Sequence, residues 1–395
     1  MKRILIAFLL ITLPAFAQER RFVLERIEVR NTARVSPQVL VAETTLREGR
    51  AYSEDDIRNA VARLERLPFV FKAGYTIENN VLVISVTEMK PLSFLLDARG
   101  IAVENPTTAN DFDYDFTDPA TPWPDVAAGV RWVVGGSGVA HFGMPVLRRR
   151  QGFGNNYTAY ELGYTQYRLL GTRLFATAIV RSPSDSLSEG TFTPEFIAGL
   201  PLTPAQTVTV DFEDTLFRDA ELNIFGTTFR DLHAERTITV AWTYDTTNEP
   251  YAPSRGTFVE IAPVYWMRDD ASFRFSGLPQ QFVPTATHLR AKGVDLATLH
   301  HWELSDVSSV FGGLLAGWDD IDSRQQQGRR TSYQIVKAGY SRALGGGRVA
   351  LEARAVLDHR GRDIEDQQSF EAMATWVWRS PWGTFRLGAG VSTAD

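Results

Sequence analysis

Apolar side chains recur at every second position along much of this chain, and no other pattern in it limits the possible folds as tightly. Ile238, Val240, Trp242 and Tyr244 fall on one face of an extended strand, with Thr237, Thr239, Ala241, Thr243 and Asp245 on the other. A polar turn carrying Pro253 and Gly256 follows, and then a second strand in which Val259, Ile261 and Tyr265 oppose Phe258, Glu260 and Ala262. Successive side chains of a strand point to opposite faces, so this alternation suits a sheet between an apolar medium and a polar space. Aromatic residues at the strand ends fit lipid as the apolar medium.

Other segments obey the same rule. Tyr160, Leu162 and Tyr164 alternate with Glu161, Gly163 and Thr165; Val208, Val210 and Phe212 alternate with Thr207, Thr209, Asp211 and Glu213. Val349, Leu351, Ala353 and Ala355 oppose Glu352 and Arg354, so charges would face the lumen. With the less regular stretches near 127–135, 138–147, 172–181, 190–200, 285–302, 307–318, 332–342 and 369–379, the pattern predicts about 14 to 16 strands, within the range of transmembrane barrels. Leu170-Gly171-Thr172 and Gly345-Gly346-Gly347 read as turns, and Asp320 to Arg330 as an outer loop. A propeller would repeat every 40 to 50 residues or so, and no such repeat is present. A soluble sandwich alternates in the same way. The secretory start of the chain, its length and the aromatic strand ends favour the barrel.

That start is explicit. Lys2 and Arg3 precede an apolar run from Ile4 to Leu13, and Ala15-Phe16-Ala17 is a small-x-small cleavage site, so residues 1–17 read as a signal peptide. Past Ala17 there is no apolar run of about 18 residues such as a membrane helix needs. The 395 residues are 44% hydrophobic, 11% aromatic and 22% charged. Their mean hydropathy of -0.16 is what half-apolar, half-polar strands average to. A net charge of -6 and a pI near 5.7 speak against a nucleic-acid partner, which calls for a basic patch. With no cysteine in an exported chain, neither a disulfide framework nor thiol chemistry is expected.

Residues 21–89 read as a small soluble domain. Phe22 to Arg30 alternates as a strand, and Ser36-Pro37 opens a short helix that runs through Leu46 and stops at Gly49. Ser53-Glu54-Asp55-Asp56 imitates a capping box, with Asp56 three residues after the cap. Behind it Ile57, Ala60, Val61, Leu64 and Leu67 share one helical face, and Pro68 ends the helix. Strands Phe69 to Glu78 and Val81 to Glu88 follow, joined by Asn79-Asn80, a pair that tolerates the left-handed turn of a tight hairpin.

No constellation commits the chain to catalysis, and neither a metal nor a cofactor is expected. Glu104, Asp111, Asp113, Asp115, Asp118 and Asp125 lie in one stretch without lysine or arginine. Its spacing is not that of an EF-hand loop; a calcium site and an extended, solvated segment, which Pro119, Pro122 and Pro124 suit, both remain open. His300 and His301 are adjacent and so point to opposite faces of a strand, which prevents joint ligation of one ion. Gly135-Gly136-Ser137-Gly138-Val139 lacks the last glycine of a nucleophile elbow and reads as a turn. Arg148-Arg149-Arg150 reads as a solvated turn.

The Tyr244-Asp245, Pro253-x-x-Gly256, alternating-strand sequence resembles a hairpin of the BamA/TamA superfamily of outer-membrane assembly and secretion barrels. Trp376 to Gly388, with Ser380-Pro381-Trp382-Gly383 at its turn, resembles that family's penultimate hairpin. The β-α-α-β-β order of residues 21–89 is similar to a polypeptide-transport-associated (POTRA) domain. The resemblance implies an all-β transmembrane antiparallel barrel over residues 91–395, embedded in outer-membrane lipids of a Gram-negative bacterium, with the small α+β domain in the periplasm. It also implies translocation or insertion of polypeptides, with unfolded polypeptide clients or a periplasmic partner added as a strand to the domain's sheet edge. Positions Val29 and Tyr75 would mark that edge.

Two departures stand against the transport implication. The family's inward loop carries an Arg-Gly-aromatic motif, whereas the Arg-Gly pairs here, Arg99-Gly100, Arg255-Gly256 and Arg360-Gly361, continue with Ile101, Thr257 and Arg362. Phe311 to Trp318 reads either as a decayed copy of that motif or as a plain strand. The family also adds a further strand with a terminal aromatic, whereas this chain ends Ser392-Thr393-Ala394-Asp395. Either the chain is truncated or its barrel closes with a different strand count. The alternative function is a passive pore or scaffold.

Overall fold

A capping box fixes the best-defined helix of the N-terminal region. The computed structural model describes residues 21–103, 126–149, 156–157, 160–182, 193–224, 227–276, 281–323, 329–359 and 367–394. Its first part runs β1 (Arg21–Leu24), β2 (Arg26–Arg30), α1 (Pro37–Thr44), β3 (Arg50–Ser53), α2 (Glu54–Glu65), β4 (Val70–Glu78) and β5 (Val81–Glu88). Asp56 N donates to Ser53 Oγ at 3.1 Å while Ser53 N donates to Asp56 Oδ2 at 3.0 Å, so two amides at the start of α2 are satisfied. Ile57, Ala60, Val61 and Leu64 of α2 are buried against Leu40, Phe69, Leu82 and Ile84. At roughly 1.5–3 kcal/mol for each large apolar side chain, this burial, more than helix propensity, holds α2 in place.

The three-stranded sheet has the order β2-β5-β4, with β2 parallel to β5 and β4 antiparallel to it. Asn79 and Asn80 turn with φ of 50° and 66°, as the sequence predicts. Three details differ from the sequence reading. The single strand expected from Phe22 to Arg30 is broken at Glu25: β1 pairs with β3, between the two helices, and only β2 joins the main sheet. Ser36 stands at the N-cap of α1 without a side-chain cap. The helix also stops early, at Thr44, because Thr45 turns left-handed at φ 60°.

An open sheet edge would leave N–H and C=O groups unpaired, and the second part closes on itself. Its strands are β6 (Leu92–Val103), β7 (Val126–Val134), β8 (Gly138–Arg149), the two-residue β9 (Asn156–Tyr157), β10 (Tyr160–Gln166), β11 (Phe175–Ser182) and β12 (Thr193–Thr203). The longer strands β13 (Gln206–Ile224), β14 (Thr227–Asp245), β15 (Gly256–Ser276), β16 (Gln281–Ser305), β17 (Ser308–Ser323) and β18 (Arg329–Leu344) follow. The wall ends with β19 (Gly347–His359), β20 (Gln367–Ser380) and β21 (Gly383–Ala394). Neighbours in sequence pair antiparallel, β8 pairs with β10 past β9, and β21 returns to β6. Leaving out β9, which hangs on β8, fifteen strands make a closed circuit.

An odd count has a geometric consequence. The first and last of fifteen alternating strands run the same way, so their junction must be parallel. Gly383–Ser392 of β21 indeed lies parallel to Phe94–Val103 of β6. This corrects the expectation of a wholly antiparallel barrel. Among the described residues it also answers the question of closure raised by the family's extra strand: β21 itself seals the wall.

The alternation appears in the burial. Phe196, Leu200, Val210, Ile238, Val240, Ile261, Leu351, Leu387 and Val391 are exposed on the outer face, whereas Glu195, Ala241, Ala262, Met373 and Arg386, of opposite parity, are buried within. Trp242 stacks on Tyr244, and Trp376 on Trp378, toward the end that carries the short turns. An apolar band of this extent with aromatic residues at its boundary fits a lipid-facing surface. Phe311 to Trp318 is plain strand within β17, and because β17 extends to Ser323 and β18 starts at Arg329, both ends of the expected outer loop are strand. Arg148 and Arg149 belong to β8 rather than to a turn. The expected signal peptide, residues 1–17, and the acidic stretch 104–125 lie outside the described residues.

The face assignment is testable. Val210, 45% exposed, faces outward, and neighbouring Thr209 faces the lumen. Val210→Arg should destabilise by about 2–4 kcal/mol if it lies near the midplane of the bilayer, and Thr209→Arg far less. Equal stabilities in a denaturant titration would overturn the assignment.

Candidate functional site

Helix α2 and its C-cap deliver two arginines to the barrel, Arg63 from the flank of the buried stripe and Arg66 from the cap. Arg63 Nη1 donates to Thr207 Oγ1 on β13 at 2.8 Å, and Nη2 donates to the buried Glu43 of α1 at 3.3 Å. Arg66, just past the helix end, donates from Nη2 to Asp245 Oδ1 at 3.0 Å and to the carbonyl oxygen of Thr247 at 2.7 Å, with Nε 2.9 Å from Asp245 Oδ2. Burial holds the Arg66 guanidinium below its usual range, with the Asp245 carboxylate pulling it back up.

Asp245 also starts a loop, 246–255. Its Oδ1 accepts from Thr247 N at 2.8 Å and Thr247 Oγ1 at 2.7 Å. Asn248 Oδ1 then accepts from Ser254 N and Arg255 N, which closes the loop on itself. Pro253 is buried in it, and Gly256 restarts the strand at φ 106°, where an added Cβ would lie 2.3 Å from the Thr246 carbonyl oxygen. Glycine is the residue that this close approach admits.

The loop carries Tyr251 across the mouth of the barrel to the opposite wall. Its hydroxyl accepts from Arg131 Nη1 of β7 at 3.3 Å, and the guanidiniums of Arg379 on β20 and Arg386 on β21 lie 5.5 and 5.2 Å from the ring centroid. Burial raises the phenol, but the three arginines outweigh it and leave the group below its usual range. Arg379 points both ways: its Nη2 donates to the carbonyl oxygens of Glu65 at 2.8 Å and Val70 at 2.7 Å, and its guanidinium lies 5.8 Å from the Phe71 ring. Glu249 shares the loop, and burial holds its carboxyl above the usual range, only partly offset by Arg379.

Backbone contacts complete the seat. Ser36 N donates to Gly136 O at 2.9 Å in the β7–β8 turn, and Lys90 N to Pro381 O at 2.7 Å in the β20–β21 turn. Arg168, in the β10–β11 turn, bonds Gln38, and Phe69 meets Tyr167 edge-on at 5.2 Å. The α+β unit thus grips turns and strand ends from β7 round to β20, spanning the short-turn mouth. Gly383, at φ 155°, lets β21 leave its turn against Phe94, whose carbonyl oxygen would sit 2.1 Å from an added Cβ.

The sequence-derived positions therefore have different fates. Asp245, Pro253, Gly256, Pro381 and Gly383 come together at this mouth, the first as the partner of Arg66. Tyr244 faces outward, stacked with Trp242. Val29 and Tyr75 lie on β2 and β4, the outer strands of the three-stranded sheet, with half-buried side chains packed on its core. Ile27 N donates away from β5 to Glu48 Oε1 at 3.1 Å, and Ala73 N to Glu65 Oε1 at 2.9 Å. By the two-residue period of a strand, the backbone groups of Val29 and Tyr75 also point off the sheet edge. Sequence reasoning missed Arg66, Tyr251, Arg131, Arg379 and Arg386; the polar flank of an amphipathic helix hints at the first, and no local signal marks the others. His301 is buried toward the lumen against Phe311 and His300 lies on the other face beside Trp302, as adjacency requires.

No family model matches the chain, and no curated protein matches it. Among solved structures it is similar to the crystal structure of BamA from Haemophilus ducreyi lacking POTRA domains 1-3, at 12% identity over 94% of this chain and 85% of that chain, with a TM-score of 0.41. At that distance the likeness speaks neither to activity nor to partners.

Two outcomes follow from the geometry. Asp245→Ala strands a buried guanidinium and should weaken seating of the α+β unit by about 3 kcal/mol, which limited proteolysis between residues 89 and 92 would show while the barrel stays folded. Unchanged cleavage would mean that the pair contributes nothing. For Glu249 the folded-state value is raised, so its stabilising contribution is complete below the ordinary 4.5 and is lost as pH rises through the raised value. The melting temperature of Glu249→Gln should therefore climb relative to the parent as pH rises above 4.5; a pH-independent difference would contradict this assignment.

Proposed function

We propose that the chain is an outer-membrane barrel that translocates polypeptides or inserts them into the membrane, with the α+β unit serving as a POTRA-like receiving domain in the periplasm. One observation carries the reading: a small sheet with two outer strands is seated at the mouth of a closed barrel, and the backbone groups of Val29 and Tyr75 point off its edges. Such an edge pairs with any extended chain through main-chain hydrogen bonds, which suits clients of unrelated sequence. The apolar outer band supports the membrane setting, and the signal-peptide reading of residues 1–17 supports export. Short turns on the side of the α+β unit match the periplasmic side of outer-membrane barrels.

A second reading is a passive pore or scaffold. The same seat favours it, because the unit is bound across the mouth by Arg63, Arg66 and Arg379, and the Arg-Gly-aromatic motif is missing from the sequence.

Proline at position 29 or 75 removes an outward N–H without cutting the bonds to β5. On the transport reading, at least one of the two variants loses crosslinking to an unfolded outer-membrane polypeptide while the barrel keeps its heat-modifiable gel migration. If both variants are silent, and deletion of residues 21–89 also leaves export and assembly of outer-membrane proteins untouched, the passive barrel is the better description.

A further inference from the structure

The β10–β11 turn carries a side chain that the protein's own packing does not account for. Arg168 and Leu170 both turn left-handed, at φ 54° and 52°, a region that is costly for residues with a Cβ. Leu170 is nonetheless 91% exposed, so no packing within the chain offsets that cost. The turn is well tied: Leu169 N donates to Leu174 O at 2.7 Å, and Thr172 Oγ1 donates to Leu169 O at 2.7 Å. It therefore holds an apolar side chain out into its surroundings. Phe175, the first residue of β11, pairs with Gly199, but β12 continues past that level and presents Leu200 and Leu202, 41% and 46% exposed, on its outer face. The apolar outer band of the barrel thus extends to the level of the turn that carries Leu170.

Cationic groups gather at the same place. Arg47 and Arg50 are exposed on the segment between α1 and β3, and Arg173 is half-buried in the β10–β11 turn. The segment is pinned, with Arg47 N donating to the Tyr52 hydroxyl at 2.8 Å and Gly49 N to Leu24 O at 2.7 Å. Burial first, then the charge of Arg47 and more weakly that of Arg50, hold the Arg173 guanidinium below its usual range, and Tyr52 and Glu43 offset only part of this. Glu43 is itself bonded to Arg63. Among the described residues no carboxylate forms an ion pair with any of the three arginines. We infer that this turn and the arginine cluster bind an anionic phospholipid of the periplasmic leaflet: Arg47, Arg50 and Arg173 hold the headgroup phosphate, and Leu170 enters the acyl layer. Guanidinium groups match phosphate geometry and are weakly hydrated, and basic groups beside a membrane are drawn to anionic lipid. A zwitterionic headgroup would bring its own cation against the arginines, which favours an anionic one. The site rests on the outer-membrane placement of the barrel and is independent of the transport reading.

The chain has no cysteine, so Leu170→Cys and, as a membrane control, Val210→Cys each give a single labelling site. The full mature protein, labelled with a polarity-sensitive fluorophore, is reconstituted in phosphatidylcholine vesicles with or without phosphatidylglycerol, each doped with acyl-chain spin-labelled lipid as quencher. The label at position 210 should be quenched in both mixtures, and the label at position 170 more strongly when phosphatidylglycerol is present. The phosphatidylglycerol fraction that gives half the effect should rise about fivefold in Arg173→Gln, and further when Arg47→Gln and Arg50→Gln are added. A water-like, unquenched label at 170 beside a quenched one at 210 overturns the proposal and leaves the membrane placement standing; two unquenched labels overturn both. Quenching at 170 that ignores phosphatidylglycerol, or that the arginine variants leave unchanged, marks an apolar contact without a headgroup site and overturns the proposal as well. In the unlabelled protein Leu170→Asn, which suits a left-handed turn, should fold like the parent and retain less phosphatidylglycerol in native mass spectrometry. Parent-like retention there overturns the role of Leu170.

Discussion

Everything in the barrel depends on one requirement, that its wall leave no strand edge with unpaired N–H and C=O groups. Fifteen strands meet it only by accepting one parallel junction. An even count would have closed with antiparallel pairs throughout and no odd seam. The parallel junction forces β21 to begin beside Phe94, at the point where the linker from the α+β unit enters the wall. Lys90 N to Pro381 O and Phe94 N to Trp382 O knit that crossing together. The turn that starts β21 and the chain segment that starts β6 are therefore one structural feature, which is why Gly383 is needed there.

The α+β unit is attached on different terms. Its apolar core runs from Leu24 and Leu40 to Phe69 and Ile84 and continues into the barrel at Val139 of β8, with Val133 and Tyr167 packed against it. Polar contacts flank that apolar junction: Arg63, Arg66 and Arg379 reach across to a hydroxyl, a carboxylate and backbone carbonyls. Buried ion pairs of this kind add little net stability compared with apolar packing, because desolvation consumes much of the attraction, yet breaking one partner costs several kcal/mol.

How much of this the sequence showed follows from range. The period-two alternation is local and one-dimensional, so strand faces such as Val210 against Thr209 and Ile261 against Ala262 were readable directly. The Ser53–Asp56 box and the Asn79-Asn80 turn were readable for the same reason. The break at Glu25 was not, because alternation runs through it unaltered and only β3, some 25 residues later in the chain, draws β1 away. The true length of β17 was hidden as well: Asp319, Asp320 and Asp322 look like loop residues, but ladder pairing with β16 continues through all three, and with β18 as far as Ile321. Asp245 was picked out as part of a motif without its partner, since Arg66 lies 179 residues away. Tyr251 carried no signal, because its meaning arises only when three arginines from three other strands converge.

That convergence ties the unit to the seam more closely than either contact alone. Three guanidiniums near one aromatic ring are unfavourable unless their charge meets opposing dipoles. Arg379 finds them in the carbonyl oxygens of Glu65 and Val70 and in the faces of Phe71 and Tyr251, and Arg131 finds one in the Tyr251 hydroxyl. Two of these acceptors belong to the α+β unit, so the seating of the unit and the contact with Tyr251 share one guanidinium.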